Sequence, residues 1–137
     1  MAVLDVNALV ALVWDTHVHH VPMRAWFGRS GGDGWATCPV TESGFVRVSS
    51  NPKVLPSPAT IGAALGVLSA LRRAKGHRFL ADDVSMVDPD LPRIAGHRQV
   101  TDAHLLTIAR RHGTRVVTFD AGLAALADGR DVELLHL

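Results

Sequence analysis

Apolar residues along this chain alternate between two spacings. Short continuous runs bounded by turn residues read as strands, and runs repeating every three or four positions read as helices. "AVLDV" is a strand and "NALVALVW" a helix, followed by the helix "HVPMRAWFGR" and the loop "SGGDG". Next come the strand "WATCP", the helix "VTESGFVRVSS", the breaker "NPKVLPSP" and the longer helix "ATIGAALGVLSALRRAKG", which Gly76 should end. "HRFLAD" supplies a third strand, and the proline-bearing loop "MVDPDLPRIAGHRQ" leads to the helix "TDAHLLTIARRHG". The strand "RVVTF", the helix "AGLAAL" and the closing strand "VELLHL" complete the chain. Strands separated by helices cannot pair through tight hairpins. The pattern therefore predicts an α/β fold with parallel pairing, right-handed crossovers and helices on both sheet faces.

Polar positions matter most where they interrupt this pattern. Asp5 precedes Ala8, Leu9 and Leu12; Glu42 precedes Phe45 and Val46; Asp102 precedes Leu105, Leu106 and Ala109; Asp120 precedes Leu123 and Ala124. Residues three, four and seven apart share a helix face, so each acid lies on the side that packs against the sheet. Helix capping accounts for Asp5, Asp102 and Asp120 taken singly. It accounts less well for Glu42, since Glu is a poor cap, and Thr41 and Thr101 are placed to cap the helices beside Glu42 and Asp102. In a parallel sheet every strand-to-helix joint lies at the carboxyl edge, where open α/β folds bind ligands. Four carboxylates converging there need protons or cations to relieve their repulsion. An all-oxygen ligand set suits Mg²⁺ or Mn²⁺ and points to metal-assisted phosphoryl chemistry.

Composition narrows the class without changing that picture. The 137 residues suit one domain with one core, and 47% hydrophobic against 20% charged residues match a folded globular protein. A net charge of +1 excludes a strongly basic, histone-like protein but leaves room for a local basic groove. The run Ala8 to Trp14 is too short to span a bilayer, and no basic segment opens the chain, so a cytoplasmic location and no membrane partner are expected. Cys38 is the single cysteine, which excludes an intrachain disulfide; in "WATCP" it reads as a small buried strand residue.

"LDVNALV", "TESGFVR", "VTDAHLLTIAR" and "VVTFDAGL", in this order and spacing, resemble the PIN domain family, in particular the VapC-type toxin ribonucleases of bacterial toxin–antitoxin pairs. The resemblance spans nearly the whole chain and implies a single three-layer PIN domain over residues 1–137. It further implies that Asp5, Glu42, Asp102 and Asp120 form a metal-binding catalytic site supported by Asn7 and Thr118. Asp5 and Asp102 are the expected principal Mg²⁺ holders, with Mn²⁺ as the alternative ion; Glu42 and Asp120 complete the site or orient the attacking water. The implied reaction is hydrolysis of single-stranded or loop RNA to leave a 5′-phosphate. The implied partners are a VapB-type antitoxin and a second copy of the chain. A catalytically weak PIN-like module that binds RNA or protein is the alternative, and a DNA-directed nuclease is a third reading, because carboxylates that act on a phosphodiester do not name its sugar.

Other constellations carry less. "DTHVHH", Asp15 to His20, has the spacing of an amidohydrolase metal motif, but those sites sit on barrels of about 250 residues, so an exposed loop near the groove is expected. Arg47 is placed to meet phosphate or solvent. His104 is placed to touch RNA, or is a partly exposed helix histidine. Arg110, Arg111 and Arg115 read as a helix C-terminal cluster, and Asp82 and Asp83 as turn or capping residues.

Overall fold

The computed structural model describes residues 1–136 and contains five strands and six α-helices among them. Strand β1 (Ala2–Leu4) leads to α1 (Val6–Val13) and α2 (His20–Ser30); β2 (Trp35–Thr37) leads to α3 (Pro39–Ser49) and α4 (Ile61–Arg72). After β3 (His77–Phe79) come α5 (Val100–Arg111), β4 (Arg115–Thr118), α6 (Ala121–Leu126) and β5 (Val132–Leu134). Every predicted strand and helix is present. The final residue of the predicted strand "VELLHL", Leu137, lies outside the described residues.

The sheet runs in the order β3-β2-β1-β4-β5, and all four pairings are parallel. From β1 the chain moves outward through β2 to β3, then returns to lay β4 on the other side of β1. The gap between β1 and β4 is therefore the topological switch point, where the crossovers diverge and leave a crevice at the carboxyl edge.

Strand alternation sorts the core into two layers. Leu4, Trp35 and Val117 face one side, where they pack with Leu9, Trp26, Phe45 and Leu68 from the first four helices. Val3, Ala36 and Val116 face the other and pack with Leu105, Leu106, Ile108 and Leu123 from α5 and α6. Because both sheet faces are covered at the centre, β1 is apolar and buried throughout, whereas the edge strands β3 and β5 carry charged residues.

Gly44 sets the approach of α3 to α1. A Cβ at that position would stand 2.4 Å from Val6 Cγ2, closer than any relaxed carbon pair, so only glycine lets the two helices close to this distance.

Helix starts differ from the sequence reading in an instructive way. α3 begins at Pro39, with Cys38 as its N-cap residue, so Cys38 is buried beyond the end of β2 rather than within the strand. Thr41 is inside that first turn, and its hydroxyl accepts from the Cys38 N–H at 3.0 Å, the reciprocal half of a capping box rather than the cap itself. Thr101 is likewise inside α5, which starts at Val100 after a short 3₁₀ turn, His97–Gln99. Proline at the first helical position explains the earlier start of α3, since its fixed φ suits a helix and its missing N–H costs nothing there. The predicted 59–76 helix is shorter, Ile61–Arg72, and Gly76 at φ +85° turns the chain into β3.

Candidate active site

Asp5 directly follows β1 and caps α1, with Oδ1 accepting from the Val6 N–H at 2.7 Å. Its other oxygen, Oδ2, accepts from the Thr118 hydroxyl at 2.7 Å. Thr118 ends β4, the strand paired with β1, so this bond crosses the switch point. The capping explanation for Asp5 is thus correct for one oxygen only.

Asp120 occupies the matching joint after β4 and caps α6 through Oδ1, 2.8 Å from the Gly122 N–H. The Asp120 N–H donates to Thr118 Oγ1 at 3.0 Å. Asn7 completes the bridge: its Nδ2 donates to Thr118 Oγ1 at 3.3 Å and its Oδ1 accepts from the Phe119 N–H at 3.2 Å. Thr118 has one proton, given to Asp5, and its oxygen takes two donors, so the hydroxyl is fully used. Asn7 and Thr118 therefore hold the two acidic joints in a common frame.

Asp102 comes from the layer opposite α1, in the first turn of α5. Burial raises its carboxyl pKa to about 6, and the charges of Asp120 and Asp5 push in the same direction. Burial also raises the pKa of Asp5, against the opposing hydrogen bonds from Thr118 and Val6, with a further upward push from Asp120. Three carboxylates from separate elements consequently share one electrostatic field. Ionising all of them is unfavourable until a cation or protons arrive.

Glu42 has partners of its own. Its Oε2 accepts from the Thr37 hydroxyl at 2.7 Å, and its Oε1 lies 3.6 Å from Arg72 NH1. Because Thr37 gives its proton to Glu42, the His77 Nε2 that lies 2.8 Å from the same hydroxyl must carry a hydrogen and donate. Burial lowers the His77 pKa, with the Glu42 and Arg72 charges acting in opposite senses on it. The structure thus gathers Asp5, Asp102 and Asp120 and directs Glu42 toward α4.

Among the described residues no group of three or more His, Cys, Asp and Glu side chains is arranged as a ready metal site. The donor chemistry nonetheless fits a hard divalent ion. Mg²⁺ keeps several waters and is usually held by one or two carboxylates together with substrate phosphate, so a closed protein cage is not required. The mutual repulsion at Asp5 and Asp102 is the feature such an ion relieves.

Thr37, Arg72 and His77 were not read from the sequence. A signal for Thr37 existed: "WAT" and "RVVT" both end in threonine, and each strand-terminal hydroxyl donates to a carboxylate. Arg72 and His77 carried none, being brought in by α4 and the edge strand.

The remaining candidates sort by their partners. His104 Nε2 lies 3.0 Å from Asp82 Oδ1, so this histidine tethers α5 to the segment after β3. Asp82 also accepts from the Val84 N–H at 3.1 Å, the turn duty expected of it. Arg47 is exposed in the last turn of α3. Arg110 pairs with Asp131 at 3.0 Å, Arg111 with Asp88 and with Asp90, and Arg115 with Glu133 at 3.0 Å, so these cations meet acids of the same chain. "DTHVHH" is an exposed loop only at Asp15, Thr16 and Val18. Its histidines are half-buried: His19 stacks on Phe119 with ring centroids 4.3 Å apart, and His20 Nδ1 donates to the Ala11 carbonyl at 2.7 Å. That stacking puts the histidine loop against the β4–α6 joint, beside Asp120.

The fold is shared with known proteins. The PIN domain family pattern matches residues 2–129, and the chain belongs to that family. Ribonuclease VapC38 of Mycobacterium tuberculosis is 66% identical over all of this chain and 99% of its own length. Ribonuclease VapC39 of the same organism is 45% identical over 98% of this chain and 99% of its own. The crystal structure of M. tuberculosis VapC20, described as a sarcin–ricin loop cleaving toxin, superposes with a TM-score of 0.67 over 99% of this chain and 100% of that one. At 13% identity that likeness speaks for the fold.

Proposed function

We propose that this chain is a divalent-metal-dependent endoribonuclease of the VapC type, the toxin half of a toxin–antitoxin pair, acting in the cytoplasm. The observation that carries the reading is the coupling of Asp5, Asp102 and Asp120 near the β1–β4 switch point, where their like charges repel. Asp5 and Asp102 would be the principal holders of Mg²⁺, or Mn²⁺ in its place. Asp120 and Glu42 complete the site or orient the attacking water. When bound, the ion supplies charge neutralisation at the scissile phosphate and makes water a stronger nucleophile at neutral pH.

The protein's own contribution is positional. Thr118 holds Asp5 through Oδ2 and, with Asn7, fixes the joint that carries Asp120. Thr37 fixes Glu42 from the neighbouring strand. In the hydrolysis a water oxygen forms the new bond to phosphorus and the bond to the 3′ oxygen breaks. The products carry a 5′-phosphate and a 3′-hydroxyl. A VapB-type antitoxin and a second copy of the chain are the proposed protein partners.

Cleavage of single-stranded RNA by the purified protein, with Mg²⁺ or with EDTA, tests the reading. Wild type should cut only with the ion, and Asp5→Ala should be inactive. Persistent cutting by Asp5→Ala would exclude the mechanism. RNA binding without cutting by wild type would favour a catalytically weak binding module, and matched DNA oligonucleotides would separate a DNA-directed nuclease.

A further inference from the structure

A cleft of about 400 Å³ opens between α3 and α4, lined by Glu42, Leu65, Leu68, Ser69, Arg72 and Arg73. Glu42 lines this cleft and is also one of the four acids proposed above for the catalytic site, which makes it the link between the two. Thr37, which holds Glu42, ends β2, and β2 lies one strand spacing, about 4.8 Å, from β1 and Asp5.

The chemistry of the walls is mixed in a particular way. Leu65 is 52% exposed, an apolar side chain with no core role, next to two consecutive arginines. Both guanidinium groups are held in place. Arg72 sits with its Cζ 4.4 Å above the centroid of the Phe79 ring and its NH1 3.6 Å from Glu42. Arg73 NH1 donates to Ser69 Oγ at 2.8 Å. A guanidinium has five N–H donors, so these contacts leave each arginine able to bind a further acceptor. Exposed arginines ordinarily lose rotamer freedom when they bind; here part of that ordering is already done.

Anionic oxygen next to a flat apolar surface is the description of a nucleotide. Single-stranded RNA is recognised through bases stacked on aromatic rings or guanidinium planes and through phosphates held by arginine. Glu42 carries the sign that repels phosphate, and Arg72 offsets it, which leaves Arg73 as the net positive charge of the cleft.

We infer that the α3–α4 cleft is an RNA subsite: it takes a nucleotide flanking the cleaved phosphodiester, with its phosphate on Arg73 and its base against Leu65 and the Arg72 guanidinium. This rests on the ribonuclease reading above, with the cleft as the track by which RNA leaves the acidic site. Leu65 is exposed on α4 and Arg73 at its C-cap, both outside the proposed catalytic group, so changing them leaves the proposed metal-holding residues intact.

The test uses the whole chain and a single-stranded RNA that it cleaves, prepared with one neutral methylphosphonate at each flanking position in turn. In wild type, one position should raise KM about tenfold. Arg73→Ala should raise KM by a similar factor with kcat changed less than about twofold, and should be insensitive to the phosphonate at that position. The slope of log KM against log salt should flatten by about 0.7, as one fewer counterion is released from a single strand. Arg73→Lys should recover part of the loss, and Leu65→Ala should raise KM most on RNA that retains the base at that position.

Unchanged KM and salt slope in Arg73→Ala, in protein that melts like wild type, would overturn the subsite. So would unchanged RNA parameters accompanied by weaker inhibition by the antitoxin, which would make the cleft a protein-binding face. Failure of wild type to cleave would instead remove the ribonuclease reading. The subsite would then be judged by fluorescence anisotropy of the same RNA, where equal binding by wild type and Arg73→Ala would overturn it.

Discussion

Thr118 gives its hydroxyl proton to Asp5 at 2.7 Å and thereby joins the ends of two adjacent strands separated by 113 positions in the chain. Thr118→Val keeps the shape of this fully buried side chain and removes the proton. Asp5 then loses a hydrogen bond that opposes the effect of burial, so its carboxyl pKa rises further. The expected result is a fall in kcat, or in apparent Mg²⁺ affinity, of about 10–100-fold, the range for residues that orient metal ligands. Thr118→Ser should retain most activity. Initial rates across a Mg²⁺ titration decide the matter, and a wild-type rate in Thr118→Val would contradict the role.

Asp102 makes the stability of the metal-free protein depend on pH in a definite direction. Its carboxyl pKa rises from 3.8 to about 6 on folding, so the native state favours the protonated form. The associated stability is present in full below about pH 4 and is lost as pH rises through about 6. Thermal melts in EDTA should show this loss, and Asp102→Asn should flatten it. Added Mg²⁺ should raise Tm above pH 6 and have little effect near pH 4.

Gly44→Ala places a methyl group 2.4 Å from Val6 Cγ2 and forces α3 away from α1. Overpacking of this kind costs about 1–3 kcal/mol. Denaturant unfolding should show that loss, and adding Val6→Ala should return part of it, because the two changes share one contact. Val6 follows Asp5 and Gly44 lies near Glu42 in α3, so activity should fall along with stability.

His104 offers a contrast with the acids at the switch point. Its Nε2 is engaged with Asp82 at 3.0 Å, which ties α5 to the segment after β3. His104→Ala should lower stability by about 1 kcal/mol, the usual net worth of one hydrogen bond. KM for RNA should move less than about twofold in steady-state assays. A large KM increase with unchanged stability would restore His104 as an RNA contact.

Asp5, Asp102 and Asp120 were readable because each begins an apolar helix stripe, and the three-to-four spacing is printed in neighbouring residues. Arg72 and His77 were not. They come from β3 and α4 to the joint between β2 and α3, and no local period records which helix end will meet which strand end. The same limit applies to His19, whose position against Phe119 follows from the path between α1 and α2 rather than from "DTHVHH" itself.

Backbone geometry alone ties residue spacing to side-chain direction, so the order of elements, their two-sided core and the carboxyl-edge placement of the acids were all contained in the order of residues. Which acids would share a field was decided only when β4 paired with β1 and α5 arrived from the opposite layer. The packing of α4 on α3 likewise decided that Arg72 would meet Glu42. Electrostatic coupling depends on distance through space, and that distance is set by sheet order, which local patterning does not encode.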